Sequence, residues 1–203
     1  MPRPLAVVFD VGNVLYAWNP RVLYERLIDD RALDAFLRDV TTLEWHFQHD
    51  AGRPFAETSA ELAAEYPQHA DLIARWGSHF GDSITGMMPG MRDLVADLDA
   101  AGVPLYAITN FSGEFWQPFR AREADVFDRF RDIVVSGNEK LTKPDAAIYR
   151  LALERFGLAA EQAVFVDDRL DNVDGAKAVG MHALLFTDAD TLRRDLADLG
   201  ILA

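Results

Sequence analysis

Leu5-Ala6-Val7-Val8-Phe9-Asp10 is the stretch on which the fold turns. Five apolar residues in a row, with no polar alternation, are too few for a buried helix and suit a strand covered on both faces, as in a parallel sheet. A carboxylate closes the run, and Gly12 lets the chain turn soon after it.

Four further runs repeat the pattern: Val103 to Ile108, Asp132 to Val135, Ala163 to Val166 and His182 to Phe186. Between them lie helical periodicities, Met91 to Ala101, Asp145 to Phe156 and Asn172 to Val179, each followed by a glycine that suits a helix C-cap. Alternating strand and helix predicts a doubly wound, Rossmann-like α/β sheet, whose ligands gather beyond the carboxyl ends of the strands.

From Leu15 to about Gly86 the pattern changes to amphipathic helices with no convincing strand. The expected helices are Pro20 to Asp30, Arg31 to Asp39, Thr41 to Asp50, Pro54 to Glu65 and His69 to Phe80, with breaks at Ala51-Gly52 and Tyr66-Pro67. The expected organisation is therefore a core of residues 1–16 and 87–203 with a helical cap, 17–86, lying over the sheet edge as a lid.

Composition narrows the function. Twenty Lys and Arg against 33 Asp and Glu leave a formal charge of −13, which argues against a sequence-independent hold on nucleic acid. With no cysteine there is neither a disulfide framework nor a thiol nucleophile. No stretch is long and apolar enough to span a membrane, and the first apolar run is cut by Asp10, so a cytoplasmic protein is expected.

Chemistry-bearing residues stand at the carboxyl ends of the predicted strands or in the loops that follow. Asp10 ends the first run; Thr109-Asn110 follow Val103 to Ile108; Lys143-Pro144 precede a helix, with the proline suited to its first turn; Asp167-Asp168 follow Ala163 to Val166. Adjacent acids at a strand end point to a divalent cation. Because such ends converge on one crevice, the set reads as a nucleophilic carboxylate, groups for phosphate oxygens, a cation and metal ligands: a phosphoryl-transfer site.

In order and spacing these four stations resemble the motifs of the haloacid dehalogenase superfamily, and the ending Phe165-Val166-Asp167-Asp168-Arg169-Leu170-Asp171-Asn172 looks like its fourth motif in detail. The resemblance implies a Mg²⁺-dependent phosphatase acting through an aspartyl-phosphate on Asp10. It implies Asp10, the Gly12 carbonyl and Asp168 as metal ligands with Asp167 in support. Thr109, Asn110 and Lys143 would hold the phosphoryl group, and Lys143 would also orient Asp10. Within the superfamily, Phe9 to Leu15 and Gln48-His49-Asp50-Ala51-Gly52 look closest to the bacterial glucose 1-phosphate phosphatases and less close to the phosphatase domain of soluble epoxide hydrolase. The implied partner is a small phosphorylated sugar or organic metabolite.

The pattern is broken at Gly12, where most phosphatases of this superfamily carry the aspartate that serves as general acid and base. Either the leaving group is readily expelled, as an anomeric oxygen is, or the cap supplies the acid from His46, His49 or Asp50, with Arg53 as a substrate contact. A metal-free 2-haloacid dehalogenase is the rival enzyme, disfavoured because Asp167 and Asp168 would repel a carboxylate substrate. A metabolite-binding protein without turnover is the non-enzymatic rival. Of the aromatic residues Trp18, Trp45, Phe47, Trp76 and Trp116, buried packing is the expected role, with Trp18 best placed to line a pocket.

Overall fold

A computed structural model describes residues 5–202. The chain runs β1 (Ala6–Phe9), β2 (Tyr16–Trp18), α1 (Asp30–Asp39), α2 (Leu43–Asp50), α3 (Phe55–Glu65), α4 (Ala70–His79), β3 (Ile84–Met87) and α5 (Met91–Ala100). It continues through β4 (Leu105–Thr109), α6 (Gly113–Arg122), α7 (Ala124–Phe127), β5 (Asp132–Val135) and α8 (Ser136–Glu139). The last elements are α9 (Ala146–Phe156), β6 (Ala163–Asp167), α10 (Leu170–Ala178), β7 (His182–Leu185) and α11 (Ala189–Asp198).

Five strands form one parallel sheet in the order β5-β4-β1-β6-β7. β1 is central, and all four of its residues are buried, as an uninterrupted apolar strand requires. Val7 and Phe9 share one packed face with Leu94 and Leu98 of α5 and Leu192 and Leu196 of α11; Ala6 and Val8 share the other with Ile148 and Ala152 of α9 and Ala176 of α10. Helices therefore cover both faces. The chain winds outward from β1 through β4 to β5, then returns to place β6 on the other side of β1. The order reverses beside β1, where a doubly wound sheet opens its crevice.

Two expectations are corrected here. β2 and β3 form an antiparallel two-stranded ribbon, Tyr16 opposite Met87 and Trp18 opposite Ile84, so the inserted helices hang from a pair of strands. Pro20 to Asp30 is not a helix: Pro20–Leu23 makes one 3-10 turn, and α1 begins only after Asp29, whose side chain caps it. Leu23 and Tyr24 are buried side by side while Glu25, Arg26 and Leu27 face solvent, an arrangement without the three-to-four-residue stripe of a helix.

The end of α2 is docked on the core. Ser136 Oγ donates to the Asp50 carbonyl at 2.5 Å and accepts the Phe111 N–H at 2.9 Å. Gly52, at φ +90°, passes so close to Gly137 that a β-carbon on it would lie 2.7 Å from the Gly137 carbonyl oxygen, a conformation and an approach that only glycine accommodates.

Candidate active site

Asp10, Thr109 and Asp167 end or directly follow the three adjacent strands β1, β4 and β6, and register brings them side by side. Lys143 reaches them from the loop before α9. Its Nζ lies 2.8 Å from Asp10 Oδ1 and 2.7 Å from Asp167 Oδ2, with only 2% of the residue exposed. Burial acts to neutralise this lysine, but the two carboxylates outweigh it and raise its pKa, so the ammonium is held charged.

Asp10 is held on one oxygen: Oδ1 takes the Val11 N–H at 2.6 Å as well as Lys143. Burial pushes its carboxyl up to about 7; Lys143 pulls against that, and the charge of Asp167 adds to it. Asp167 is fully buried and saturated, accepting from both Lys143 and Asn172 and from the Arg169 N–H. Asp168 is half-buried, and burial followed by the neighbouring Asp167 raises its pKa. Carboxylate oxygens of Asp10, Asp167 and Asp168 lie within 4.8 Å of one another. Three acids against one lysine leave uncompensated negative charge, and an all-oxygen donor set suits a hard divalent cation.

The phosphate-binding expectations divide. Thr109 is 1% exposed, and its hydroxyl has no hydrogen-bond partner, which is costly unless a ligand supplies one. The Asn110 amide is already committed, its Oδ1 accepting the Lys143 N–H at 2.8 Å and its Nδ2 donating to the Lys143 carbonyl at 3.0 Å. Its side chain clamps the lysine's backbone, a task the sequence did not suggest. Pro144 stands before the N-cap Asp145 instead of in the first helical turn.

Above these groups opens a cavity of about 580 Å³ lined by Asp10, Gly12, Asn110, Lys143 and Asp168 on the sheet side, and by Trp18, His46, Phe47, Asp50 and Phe80 on the other. Of the four cap candidates, Asp50 and His46 line it. His49 instead bonds Thr58 Oγ1 at 2.6 Å, and Arg53 pairs with Gln48 and Glu61. His46 is stacked between Trp18 and Phe80, and burial first, then His49, lowers its pKa to about 3; burial, then Arg53, lowers His49 to about 4. Both imidazoles are neutral. Burial and then Asp10 raise the Asp50 carboxyl to about 8, leaving it predominantly protonated at neutral pH. Trp45, Trp76 and Trp116 are buried packing residues as expected, whereas Trp18 and Phe47 both line the cavity.

Residues 4–180 fit the sequence profile of the haloacid dehalogenase-like hydrolases. The chain belongs to that family. This haloacid dehalogenase-like hydrolase is 30% identical over 190 residues to a sesquiterpene phosphatase of Aspergillus oryzae, spanning 91% of this chain and 90% of that protein. It is 26% identical over 198 residues to a drimenol cyclase of Aspergillus calidoustus, covering 96% of this chain and 36% of that protein. A magnesium complex of a haloacid dehalogenase family enzyme from Bacteroides thetaiotaomicron superposes with a TM-score of 0.73 at 16% identity, over 95% of this chain and all of that one. At that identity the likeness concerns the fold.

Proposed function

We propose that this hydrolase is a Mg²⁺-dependent phosphomonoester phosphatase working through an aspartyl-phosphate on Asp10. The observation that carries the reading is the Lys143 ammonium held between Asp10 and Asp167, with Asp168 beside them at the crevice. The segment 17–86 serves as the cap over residues 1–16 and 87–203. Asp10, Asp168 and the Gly12 carbonyl would hold Mg²⁺, with Asp167 in support. A bound Mg²⁺ would neutralise phosphoryl charge and help align the ester.

An Asp10 carboxylate oxygen attacks phosphorus, and the bond from phosphorus to the alcohol oxygen breaks. Lys143 and the unpartnered Thr109 hydroxyl hold phosphoryl oxygens. Asp50 stands in for the acid absent at Gly12: buried and protonated, it gives its proton to the departing oxygen, leaving a free alcohol. As a carboxylate it then takes a proton from the water that attacks the aspartyl-phosphate, releasing inorganic phosphate and restoring Asp10.

Two leaving groups stand at opposite ends of polarity. The first motif and Gln48 to Gly52 resemble those of glucose 1-phosphate phosphatases, whose anomeric oxygen leaves readily; the Aspergillus oryzae relative is named for a terpenoid substrate. Either way a single phosphate is presented. Phosphate release from p-nitrophenyl phosphate, with Mg²⁺ or with EDTA, tests the reading. Metal-dependent turnover lost in Asp10→Asn supports it, and turnover that survives both EDTA and the substitution ends it.

A further inference from the structure

We infer that the alcohol carried by the substrate is rich in hydrocarbon, unsaturated or aromatic, and bears no second anionic group; this rests on the phosphatase reading above. Four observations point the same way. The cavity lining includes Trp18, Leu43, Phe47, Phe80, Ile84 and Phe111, and its volume of about 580 Å³ would enclose a molecule of ordinary ligand size.

Several polar atoms beside that wall are turned away or spent, and His46 Nε2 faces the Asp50 carboxyl at 3.6 Å. Trp18 is half-buried, yet its Nε1 is buried without a partner, so what the indole shows to the cavity is carbon. His46 Nδ1 is likewise buried, and the ring is flanked by aromatic faces. The Asn13 side-chain oxygen already accepts the backbone N–H of Trp18 at 3.1 Å. A sugar would bring several hydroxyls against these apolar side chains, and each one stripped of water without a partner weakens binding.

Cations are missing from the same wall. Among the described residues lining the cavity, the basic side chains are Lys143, paired with Asp10 and Asp167, and Arg169, paired with Asp171. A carboxylate or second phosphate on the substrate would meet no free positive charge, and Glu44 stands on the cap side of the lining. Diphosphates, bisphosphates and phosphorylated acids are therefore poor fits.

At the rim, Leu43 and Phe47 lie one helical turn apart on α2 and are 67% and 43% exposed. Large apolar side chains left in water at the mouth of a pocket mark a surface completed by an apolar ligand. A hydrocarbon tail would cover both as its phosphate reaches Asp10. In the overall reaction the phosphate ester and one water become the free alcohol and inorganic phosphate, with no other reactant.

The test compares kcat/KM for farnesyl monophosphate, 1-naphthyl phosphate, glucose 1-phosphate and 2-phosphoglycolate, with acetyl phosphate included because it makes little demand on the wall. The expected result is that the two hydrocarbon esters exceed the two polar ones by about 100-fold, the scale on which apolar pockets discriminate. Phe47→Ser is expected to raise KM for farnesyl monophosphate about tenfold, the lower end of that scale. If acetyl phosphate is hydrolysed but glucose 1-phosphate or phosphoglycolate matches the hydrocarbon esters, the substrate class is wrong while the chemistry stands. If acetyl phosphate and all four esters are inert with Mg²⁺ present, the phosphatase reading falls and the substrate class with it.

Discussion

On the sheet side of the cavity, Asp10, Asp167, Asp168 and Lys143 form a compact set of charges at strand ends. On the cap side, Trp18, Phe47 and Phe80 surround a neutral His46, and the one buried acid among the lining residues of α2, Asp50, is predominantly protonated near pH 7. One wall is built of charges, and the other, the exposed Glu44 apart, is neutral and largely aromatic. Under the proposed mechanism the difference separates labour: rigid strands position the atoms that react, while an inserted segment of another composition would meet the part of the substrate that does not.

The largest effect should come from removing the charge that organises the sheet side. Lys143→Met leaves Asp10 and Asp167 buried next to each other without their shared cation, and the expected cost is about 3–5 kcal/mol of stability together with loss of turnover. Chemical denaturation read beside phosphate release measures both. A variant of wild-type stability would mean that the lysine is not what holds these acids together.

Next, the proposed acid of the cap can be separated from the charges below it. Asp50→Asn should lower kcat about 100- to 1000-fold for an alkyl phosphate and far less for p-nitrophenyl phosphate, whose leaving group needs little protonation. A β-carbon on Gly12 would have nothing within 4 Å, so Gly12→Asp in the Asp50→Asn background is expected to recover part of the lost rate. Equal losses on both esters would show that Asp50 acts by position and not by its proton.

The smallest effect distinguishes the cap's suppressed charge. His46 has a folded pKa of about 3, against 6.5 for an imidazole in water. Between those values the unfolded chain binds more protons, so stability is lost as pH falls from 6.5 towards 3, by up to ~1.4 kcal/mol per pH unit. His46→Phe keeps an aromatic ring between Trp18 and Phe80 and should flatten the fall in unfolding free energy between pH 6.5 and 4.5. An unchanged slope would place the proton uptake elsewhere.

The two walls also differed in how far they could be read from the chain. β1, β4 and β6 are apolar on both faces, a pattern that survives as an unbroken run, and the residues that follow such runs point to the crevice without any distance being known. Asn110 shows the limit there, since only packing reveals that its amide is taken by the Lys143 backbone. In the cap, helices α1 to α4 are visible as amphipathic stretches, but periodicity does not say which helix face meets the sheet, so Asp50 could not be told from His49 or Arg53. The β2–β3 ribbon escaped because Tyr16–Trp18 is three residues long and Ile84–Met87 contains a glycine, leaving too little alternation to register.

The contact between Gly52 and Gly137 has a consequence for how such a chain can diverge. Leu43, Phe47 and Ile84 are not among the reacting groups proposed here, so drift at those positions would change which alcohol is admitted while leaving the strand ends intact. A methyl group at position 52 would meet the Gly137 carbonyl oxygen at 2.7 Å and displace the end of α2, carrying Asp50 with it. New preferences can thus accumulate along the rim of the cap only while those two glycines stay as they are, which makes a pair of residues lacking side chains the fixed point around which specificity evolves.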